Sequence, residues 1–137
     1  MLIDRLRRNE MFYKIAHINM CKDKEKLYKE IYKIKNPNFQ DRHGTSYLHM
    51  ACQVHSIEVI SILLEKGANP NINDNRGFSP VMSALGVLDD NNTKILEIML
   101  ENGLDLNKKE GIDQKTTLRE KIIDLRDNEL KAVLNKY

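Results

Sequence analysis

The feature that most constrains the fold of this chain is an internal repetition with a period of 33 residues. The segment 41–73 aligns from end to end with the segment 74–109. Equivalent residues are 33 positions apart in the first half, as Asp41 is from Asp74, and 36 apart in the second half, as Gly67 is from Gly103. The second copy therefore carries a three-residue insertion within residues 86–92. Repeats of this length form units that cannot bury both faces alone, so the sequence predicts a stack of such units.

Weaker copies of the same pattern lie on both sides of these two repeats. The tripeptide Asn-Pro-Asn at 36–38 precedes the same tripeptide at 69–71 by 33 residues. After the second repeat, Thr116 and Leu118 match Ser46 and Leu48. At 137 residues, the chain is predicted to be one domain of four units. They are an N-terminal capping unit at 1–40, a repeat at 41–73, a repeat with the insertion at 74–109 and a C-terminal capping unit at 110–137.

Each full repeat has the pattern of two helices. A hydroxyl residue, Ser46, Ser79 or Thr116, directly precedes an apolar run, where its side chain would accept a hydrogen bond from a first-turn amide. Gly67 and Gly103 follow the second apolar run, where a helix commonly ends in a left-handed residue. Between these signals, apolar residues at i, i+1, i+4 and i+5 predict one buried face of the second helix. These residues are Val59, Ile60, Leu63 and Leu64 in one repeat and Ile95, Leu96, Met99 and Leu100 in the next.

The two terminal units have helical patterns that differ from the full repeats. At the N-terminus, one helix is predicted through Leu6, Met11, Phe12, Ile15 and Ile18, and a second, starting near Asp23, through Leu27, Ile31 and Ile34. In the C-terminal unit, Arg119 and Lys121 take the positions of His49 and Ala51. Small residues at such positions let neighbouring helices approach closely. Charge there indicates that no further unit stacks on this end.

The period, the turn, the start of the first helix and the ending of each unit resemble the ankyrin repeat. In this sequence the pattern reads D-R-H-G-T-S-Y-L-H-M-A-C and then V-I-S-I-L-L-E-K-G-A-N-P-N-I-N-D. The resemblance is most specific over 41–110, and over 1–40 it rests on the Asn-Pro-Asn register and the helical patterning. It implies an all-α ankyrin-repeat solenoid of stacked helix-turn-helix units, joined by β-turn fingers, with a capping helix pair at each end.

Four residues of the types that bind zinc lie close together in the first repeat: His43, His49, Cys52 and His55. Their spacing is not that of a known zinc module. His49 takes the histidine position of the T-P-L-H pattern, where the resemblance implies a hydrogen-bonding residue that joins adjacent loops. Met82 takes that position in the second repeat. We therefore expect no bound metal and no cofactor.

The sequence also lacks the motifs of common catalytic and ion-binding sites. The run from Asp89 to Asn92 has neither the ligand spacing nor the terminal glutamate of a calcium loop, and indicates a turn in which Asn92 or Thr93 caps a helix. No phosphate-binding, dinucleotide-binding or metalloprotease motif occurs. Ser46 and His49 are in a helix-capping context, which is a poor match to a catalytic pair. The chain is therefore predicted not to be an enzyme.

The resemblance implies that the chain binds other proteins through turn tips and the exposed side of the first helices. The candidate partner-binding residues at those positions are Arg42, His43, Thr45, Gln53, Val54, Asn75, Arg76, Phe78, Gly86 and Val87. Phe78 stands out, because an aromatic ring beside Arg76 is typical of an interface anchor. A turn-packing ring is the alternative interpretation of Phe78.

The uneven charge along the chain leaves a second function open. Residues 1–40 contain ten Lys or Arg and five Asp or Glu, whereas residues 41–110 contain six and ten. The basic N-terminal unit indicates, as the alternative function, a nucleic-acid-associated regulator. However, Lys and Glu alternate along its second helix and the whole chain has a net charge of only +2. An acidic protein surface is therefore the favoured partner of this unit.

The remaining sequence features bear on the cellular location of the protein and on its function. Cys21 and Cys52 are too few for a disulfide scaffold and are expected to be reduced. The first residues lack the apolar segment of a signal peptide, and no uncharged apolar stretch reaches the roughly 18 residues of a membrane span. We therefore expect a small, monomeric, cytoplasmic protein that binds another protein and no membrane. Within that class, we expect a dedicated inhibitor, such as an immunity protein that neutralises a toxin.

Overall fold

A computed structural model describes residues 2–137 of the chain. Over these residues it contains eight α-helices, arranged as consecutive antiparallel pairs. The first helices of the pairs are α1 (Leu2–Ala16), α3 (Tyr47–Gln53), α5 (Pro80–Leu85) and α7 (Leu118–Asp124). The second helices are α2 (Lys24–Tyr32), α4 (Ile57–Glu65), α6 (Asn92–Glu101) and α8 (Asn128–Leu134). A 3₁₀ turn at Ile18–Met20 connects α1 to α2.

The helix pairs stack in two layers. In one layer α1 packs against α3 and α3 against α5, while in the other α2 packs against α4, α4 against α6 and α6 against α8. The predicted all-α stack of helix pairs is therefore confirmed. One small departure is a hairpin of two-residue strands, β1 (Lys109–Glu110) and β2 (Thr116–Thr117), which pair antiparallel and pack against α7.

The core lies between the two layers, and the predicted apolar stripes form its centre. All eight stripe residues of α4 and α6 are buried, and Ile60, Leu63, Leu96 and Met99 are completely enclosed. Ala51 and Ala84 are also completely buried, on the first helices α3 and α5. Their small side chains let α3 and α5 pack closely, which is one of the contacts that hold the two full repeats together.

The observed helix starts match the predicted ones at some positions and differ from them at others. Ser46 caps α3 as predicted, since its hydroxyl accepts a hydrogen bond from the amide of His49. The prediction for Thr116 is wrong: Thr116 pairs with Glu110 in the hairpin, so α7 starts one residue later and Thr117 is its cap. Ser79 precedes α5 as expected, but its side chain makes no capping hydrogen bond.

The α6 start and the N-terminal helices also differ in detail. The N-cap position of α6 is Asn91, whose side chain makes no capping bond, so the prediction of a cap at Asn92 or Thr93 is wrong. The α2 helix starts after Asp23, as predicted. In α1, Leu6 is 57% exposed, whereas Phe12 is buried and its ring lies 4.5 Å from that of Tyr47 in α3.

Successive units are joined by equivalent hydrogen bonds between the segments that follow their second helices. The side-chain oxygen of Asn38 accepts a bond of 2.7 Å from the amide of Asn69, and that of Asn71 accepts a bond of 2.7 Å from the amide of Asp105. The first pair is 31 residues apart and the second 34. The three inserted residues therefore leave this connection unchanged.

Candidate functional site

Two finger-like loops carry most of the predicted binding residues. Finger 1 comprises residues 40–46 and finger 2 comprises residues 73–79. The Asp41 carboxylate accepts hydrogen bonds of 2.8 and 3.0 Å from the amides of His43 and Thr45. In finger 2, Asp74 accepts bonds of 2.9 and 3.0 Å from the amides of Arg76 and Phe78. Because each carboxylate holds two amides of its own turn, the two tips have the same fixed conformation.

The two fingers are also joined to each other. The Asn75 amide donates a 3.0 Å hydrogen bond to the His43 carbonyl, and the Asn75 side-chain amide donates one of 2.9 Å to the Arg42 carbonyl. This contact is close because Gly44, with a φ of +76°, has no side chain: a Cβ there would lie 2.6 Å from the Asn75 amide nitrogen. Predicted residues of both tips, Arg42 and Asn75 among them, are thereby brought side by side.

A shallow depression of about 320 Å³ lies at this junction. Its lining includes four of the predicted residues, His43, Thr45, Asn75 and Arg76, together with Asp74. The side chains of His43 and Arg76 are exposed. Asn75 has a structural function as well, because its side chain holds finger 1 in place. The junction is therefore a polar surface of fixed shape.

Phe78 is half-buried and has several contacts within the protein. Its ring lies 5.6 Å from the Arg76 guanidinium carbon, and a Cβ added to Gly111 would lie 3.6 Å from the ring. Its carbonyl oxygen lies 2.9 Å from His49 Nε2. The ring of Phe78 thus packs against the loop that follows β1, which favours the interpretation of Phe78 as a turn-packing residue.

The remaining predicted residues form a separate group. Gln53 and Val54 lie at the end of α3, and Gly86 and Val87 directly follow α5. The fingers precede these same helices, so the two groups lie at opposite helix ends, about 10 Å apart at 1.5 Å per residue. The structure therefore divides the predicted site residues between a finger surface and a surface at the helix ends.

The loop at 86–91, which contains the inserted residues, is held from two sides. The Asn91 side-chain amide donates a 3.4 Å hydrogen bond to the carbonyl of His55, and the Asn92 side-chain amide donates one of 2.7 Å to the carbonyl of Val87. The tip of this loop is apolar, since Leu88 is 92% exposed and Val87 is also exposed. The sequence reasoning missed Leu88, although an apolar residue within an insertion was a signal that pointed to it.

His49 is buried and joins the two fingers. Its Nδ1 accepts a 3.2 Å hydrogen bond from the Ser46 amide, and its Nε2 faces the Phe78 carbonyl. Because a carbonyl only accepts, Nε2 carries the proton and the ring is neutral. Burial lowers the pKa of His49, which also favours the neutral form. The hydrogen-bonding function that the resemblance implied for His49 is confirmed.

The second repeat replaces this histidine with a different group of residues. The Glu110 carboxylate, completely buried, accepts hydrogen bonds from both the amide and the hydroxyl of Ser79. Lys108 Nζ lies 2.7 Å from Glu110 and 2.9 Å from the Ser79 hydroxyl, and it also contacts Asn73. Serine and lysine can form a nucleophilic pair. Ser79 is fully buried, however, so these hydrogen-bonded side chains are interpreted as a structural group. Sequence reasoning missed Glu110.

The four His and Cys side chains of the first repeat do not come together as one set of ligands. The His49 ring bonds to the fingers and the His55 ring to the Ala84 carbonyl in α5, whereas His43 is exposed at a finger tip. Cys52 is completely buried, and burial raises the pKa of its thiol. Across residues 2–137, no three His, Cys, Asp or Glu side chains are grouped so that they could hold a metal ion.

A stack of helix pairs with ordered fingers along one edge defines a class of protein, the helical repeat solenoids. Within that class, this chain belongs to the ankyrin repeat family, whose model matches residues 16–110 with three copies of the repeat. Ankyrin repeats mediate binding between proteins, so the chain contains a protein–protein interaction module. None of the helices within residues 2–137 combines the length and apolar character that crossing a bilayer requires.

Similar proteins come from viruses and animals. Ankyrin repeat protein 14 of vaccinia virus (strain Western Reserve) is 30% identical over 67 residues, which cover 49% of this chain and 27% of that protein. An ankyrin repeat protein of fowlpox virus (strain NVSL) is 31% identical over 81 residues, covering 59% and 18%. A subunit of nuclear factor NF-kappa-B from Gallus gallus is 24% identical over 112 residues, covering 81% and 11%. The chain thus spans about a quarter or less of the length of these relatives.

Proposed function

We propose that this chain acts by binding one partner protein through the surface of fingers 1 and 2, without catalysing a reaction. The observation that carries the proposal is the hydrogen-bonded junction between the fingers, which presents Arg42, His43 and Arg76 side by side in exposed positions. A surface that is already ordered loses little conformational entropy on binding. The proposal also treats 1–40 and 110–137 as capping units around the repeats 41–73 and 74–109.

Within this function, we propose that binding inhibits the partner, as an immunity protein inhibits a toxin. A surface of fixed shape can act by covering the partner's own functional site. The free thiols of Cys21 and Cys52 support a reducing, cytoplasmic location and a monomer without disulfide cross-links.

Affinity capture with the full chain, followed by mass spectrometry, would identify the partner. Calorimetry would then compare the chain with Arg42→Ala, His43→Ala and Arg76→Ala. We expect each to weaken binding without lowering the melting temperature, because these side chains are exposed. Arg126→Ala, in the C-terminal unit, is the control. Unchanged affinity in all three variants would contradict the proposal and direct attention to the helix-end residues Gln53, Val54, Gly86 and Val87.

The effect of Phe78→Ala on affinity has to be interpreted together with its effect on stability, because the ring also packs against the loop at Gly111. As an interface anchor, Phe78 would contribute about 2 kcal/mol or more to binding. As a turn-packing residue, it would contribute to folding stability instead. Measuring both the melting temperature and the affinity of Phe78→Ala separates these two functions.

The second candidate function is nucleic-acid-associated regulation through the N-terminal unit, which has ten basic and five acidic residues. Binding by phosphate contacts falls steeply with salt concentration. Retention of the chain on DNA or RNA that drops sharply with added salt would favour this alternative over the finger surface.

A further inference from the structure

In addition to the depression at the finger junction, a groove of about 780 Å³ lies between α1 and finger 1. Its walls include Arg5, Arg8 and Asn9 from α1 and Phe39, Gln40 and Arg42 from the other side. Three arginines therefore face one groove. Of these residues, only Arg42 belongs to the predicted site.

The positive charge of this groove is only partly balanced within the protein, by attraction between Arg8 and the Asp4 carboxylate and by the charge of Asp41. Among residues 2–137, no carboxylate forms a salt bridge with Arg5, Arg8 or Arg42. The one acidic residue in the groove wall is Asp41, and its carboxylate already accepts two amide hydrogen bonds from its own turn. The groove wall therefore presents three cations and one carboxylate, which leaves a net positive charge.

Two of the arginines are held in position. The Arg8 guanidinium lies 4.3 Å from the centre of the Phe39 ring, and its Nε donates a 3.1 Å hydrogen bond to the Asp4 carbonyl. The Arg42 Nε donates a 3.2 Å bond to His43. In both residues these bonds use Nε, and among residues 2–137 the terminal nitrogens make no hydrogen bond to a protein acceptor. Such nitrogens suit paired bonds to a carboxylate.

We propose that this groove binds a short, extended, acidic segment of the partner protein, whose Asp or Glu carboxylates pair with Arg5, Arg8 and Arg42. This inference rests on the proposed protein-binding function and adds the chemistry of the partner. It also extends the binding surface from the fingers to α1. A polypeptide is favoured over a nucleic acid because residues 41–110 carry four more acidic than basic residues. A long polyanion that continued along the stack would meet like charge.

Fluorescence anisotropy with a fluorescein-labelled oligo-glutamate peptide tests the groove directly. We expect the peptide to bind at low salt and an oligo-glutamine peptide of equal length not to bind. Arg5→Ala and Arg42→Ala should each weaken binding about tenfold or more, as expected for the loss of a charged hydrogen bond. Arg8→Lys should weaken it as well, because lysine keeps the charge but loses the planar fork.

Lys29→Ala is the matched control, since it removes one positive charge from the same unit at an exposed position on α2. Its affinity should be unchanged, and circular dichroism should show the same helix content in every variant. Equal weakening by Lys29→Ala would overturn the proposal, because attraction would then be general. Absence of oligo-glutamate binding would also overturn it, as would tighter binding of labelled oligo-thymidylate with the same variant dependence.

The two proposals can fail separately. Suppose that Arg76→Ala weakens binding of the captured partner, that Arg5→Ala does not, and that oligo-glutamate does not displace the partner. This result would support binding through the finger surface and contradict binding through the groove. A partner that depends on Arg5 and Arg42 but not on Arg76 would retain the groove.

Discussion

The carboxylate of Glu110 accepts a 2.9 Å hydrogen bond from the backbone amide of Ser79, a residue 31 positions earlier in the chain. In the first repeat, the equivalent amide of Ser46 donates to the His49 ring on its own helix. Since Met82 takes the histidine position in the second repeat, the required acceptor comes from the following hairpin instead. The two repeats thus satisfy the same amide with residues of different chemistry and from different directions.

Glu110→Ala is expected to lower the free energy of unfolding by about 3 kcal/mol, the lower end of the range for removing one partner of a buried ion pair. The loss follows because the Ser79 amide would lose its acceptor and the Lys108 ammonium would lose its anionic partner. Urea unfolding monitored by circular dichroism measures it. Glu101→Ala, at an exposed position on α6, should stay within about 0.5 kcal/mol of wild type. A similar small effect for Glu110→Ala would show that this buried group contributes little.

His49 should make folding stability depend on pH. Burial lowers its pKa below the usual 6.5, so between those two values the unfolded chain binds more protons than the folded one. The free energy of unfolding should therefore fall as the pH drops below about 6.5 and reach a plateau below the lowered pKa. Denaturant unfolding of wild type and His49→Gln across this range isolates the contribution. If the difference between the two proteins were constant with pH, His49 would not be the titrating residue.

Gly44 and Gly67 offer a matched comparison of backbone strain and crowding. Both have positive φ, +76° and +93°, but a Cβ at Gly67 would have no atom within 4 Å, whereas one at Gly44 would lie 2.6 Å from the Asn75 amide nitrogen. Gly67→Ala should cost about 1 kcal/mol, the cost of a left-handed conformation. Gly44→Ala should cost clearly more, because finger 2 would also have to move. Thermal melts that rank the two variants equally would argue against close contact between the fingers.

Leu63 is completely enclosed between the helix layers. Leu63→Ala should lower the free energy of unfolding by about 2–5 kcal/mol, as expected for emptying a packed aliphatic site. Ser61→Ala, on the exposed side of the same helix, should have little effect. Thermal melts of both variants provide the measurement, and a shift of only a degree or two for Leu63→Ala would mean that this face is not tightly packed.

The stacked fold was predictable because its determinants are local and repeated. The spacing of Gly67 and Gly103, and of the apolar stripes, marks where each second helix lies and which face it buries. Helix starts were less certain where two suitable residues are adjacent, as at Thr116 and Thr117. There the hairpin contact of Thr116 with Glu110 decided the boundary, and that contact joins residues whose pairing no periodic pattern indicates.

The candidate surface was predictable only in part. The finger residues share positions in two repeats, so Arg42 could be paired with Asn75, and His43 with Arg76, from the period alone. Their distance from Gln53 and Gly86 depends on helix length and was not anticipated. The function of Glu110 was also missed, because the hydrogen bonds it makes depend on three-dimensional proximity to Ser79 and Lys108.

The three inserted residues are absorbed by the loop at 86–91, since the Asn71–Asp105 hydrogen bond, which spans this loop, has the same 2.7 Å length as the Asn38–Asn69 bond, which spans no insertion. Loop length and stacking register are therefore independent at this place. Loop insertions generally cost little free energy where the flanking elements are fixed, as α5 and α6 are here. The loop is thus a natural site for engineering, where a foreign recognition sequence could be grafted between Gly86 and Asn91 to give the same scaffold a second specificity.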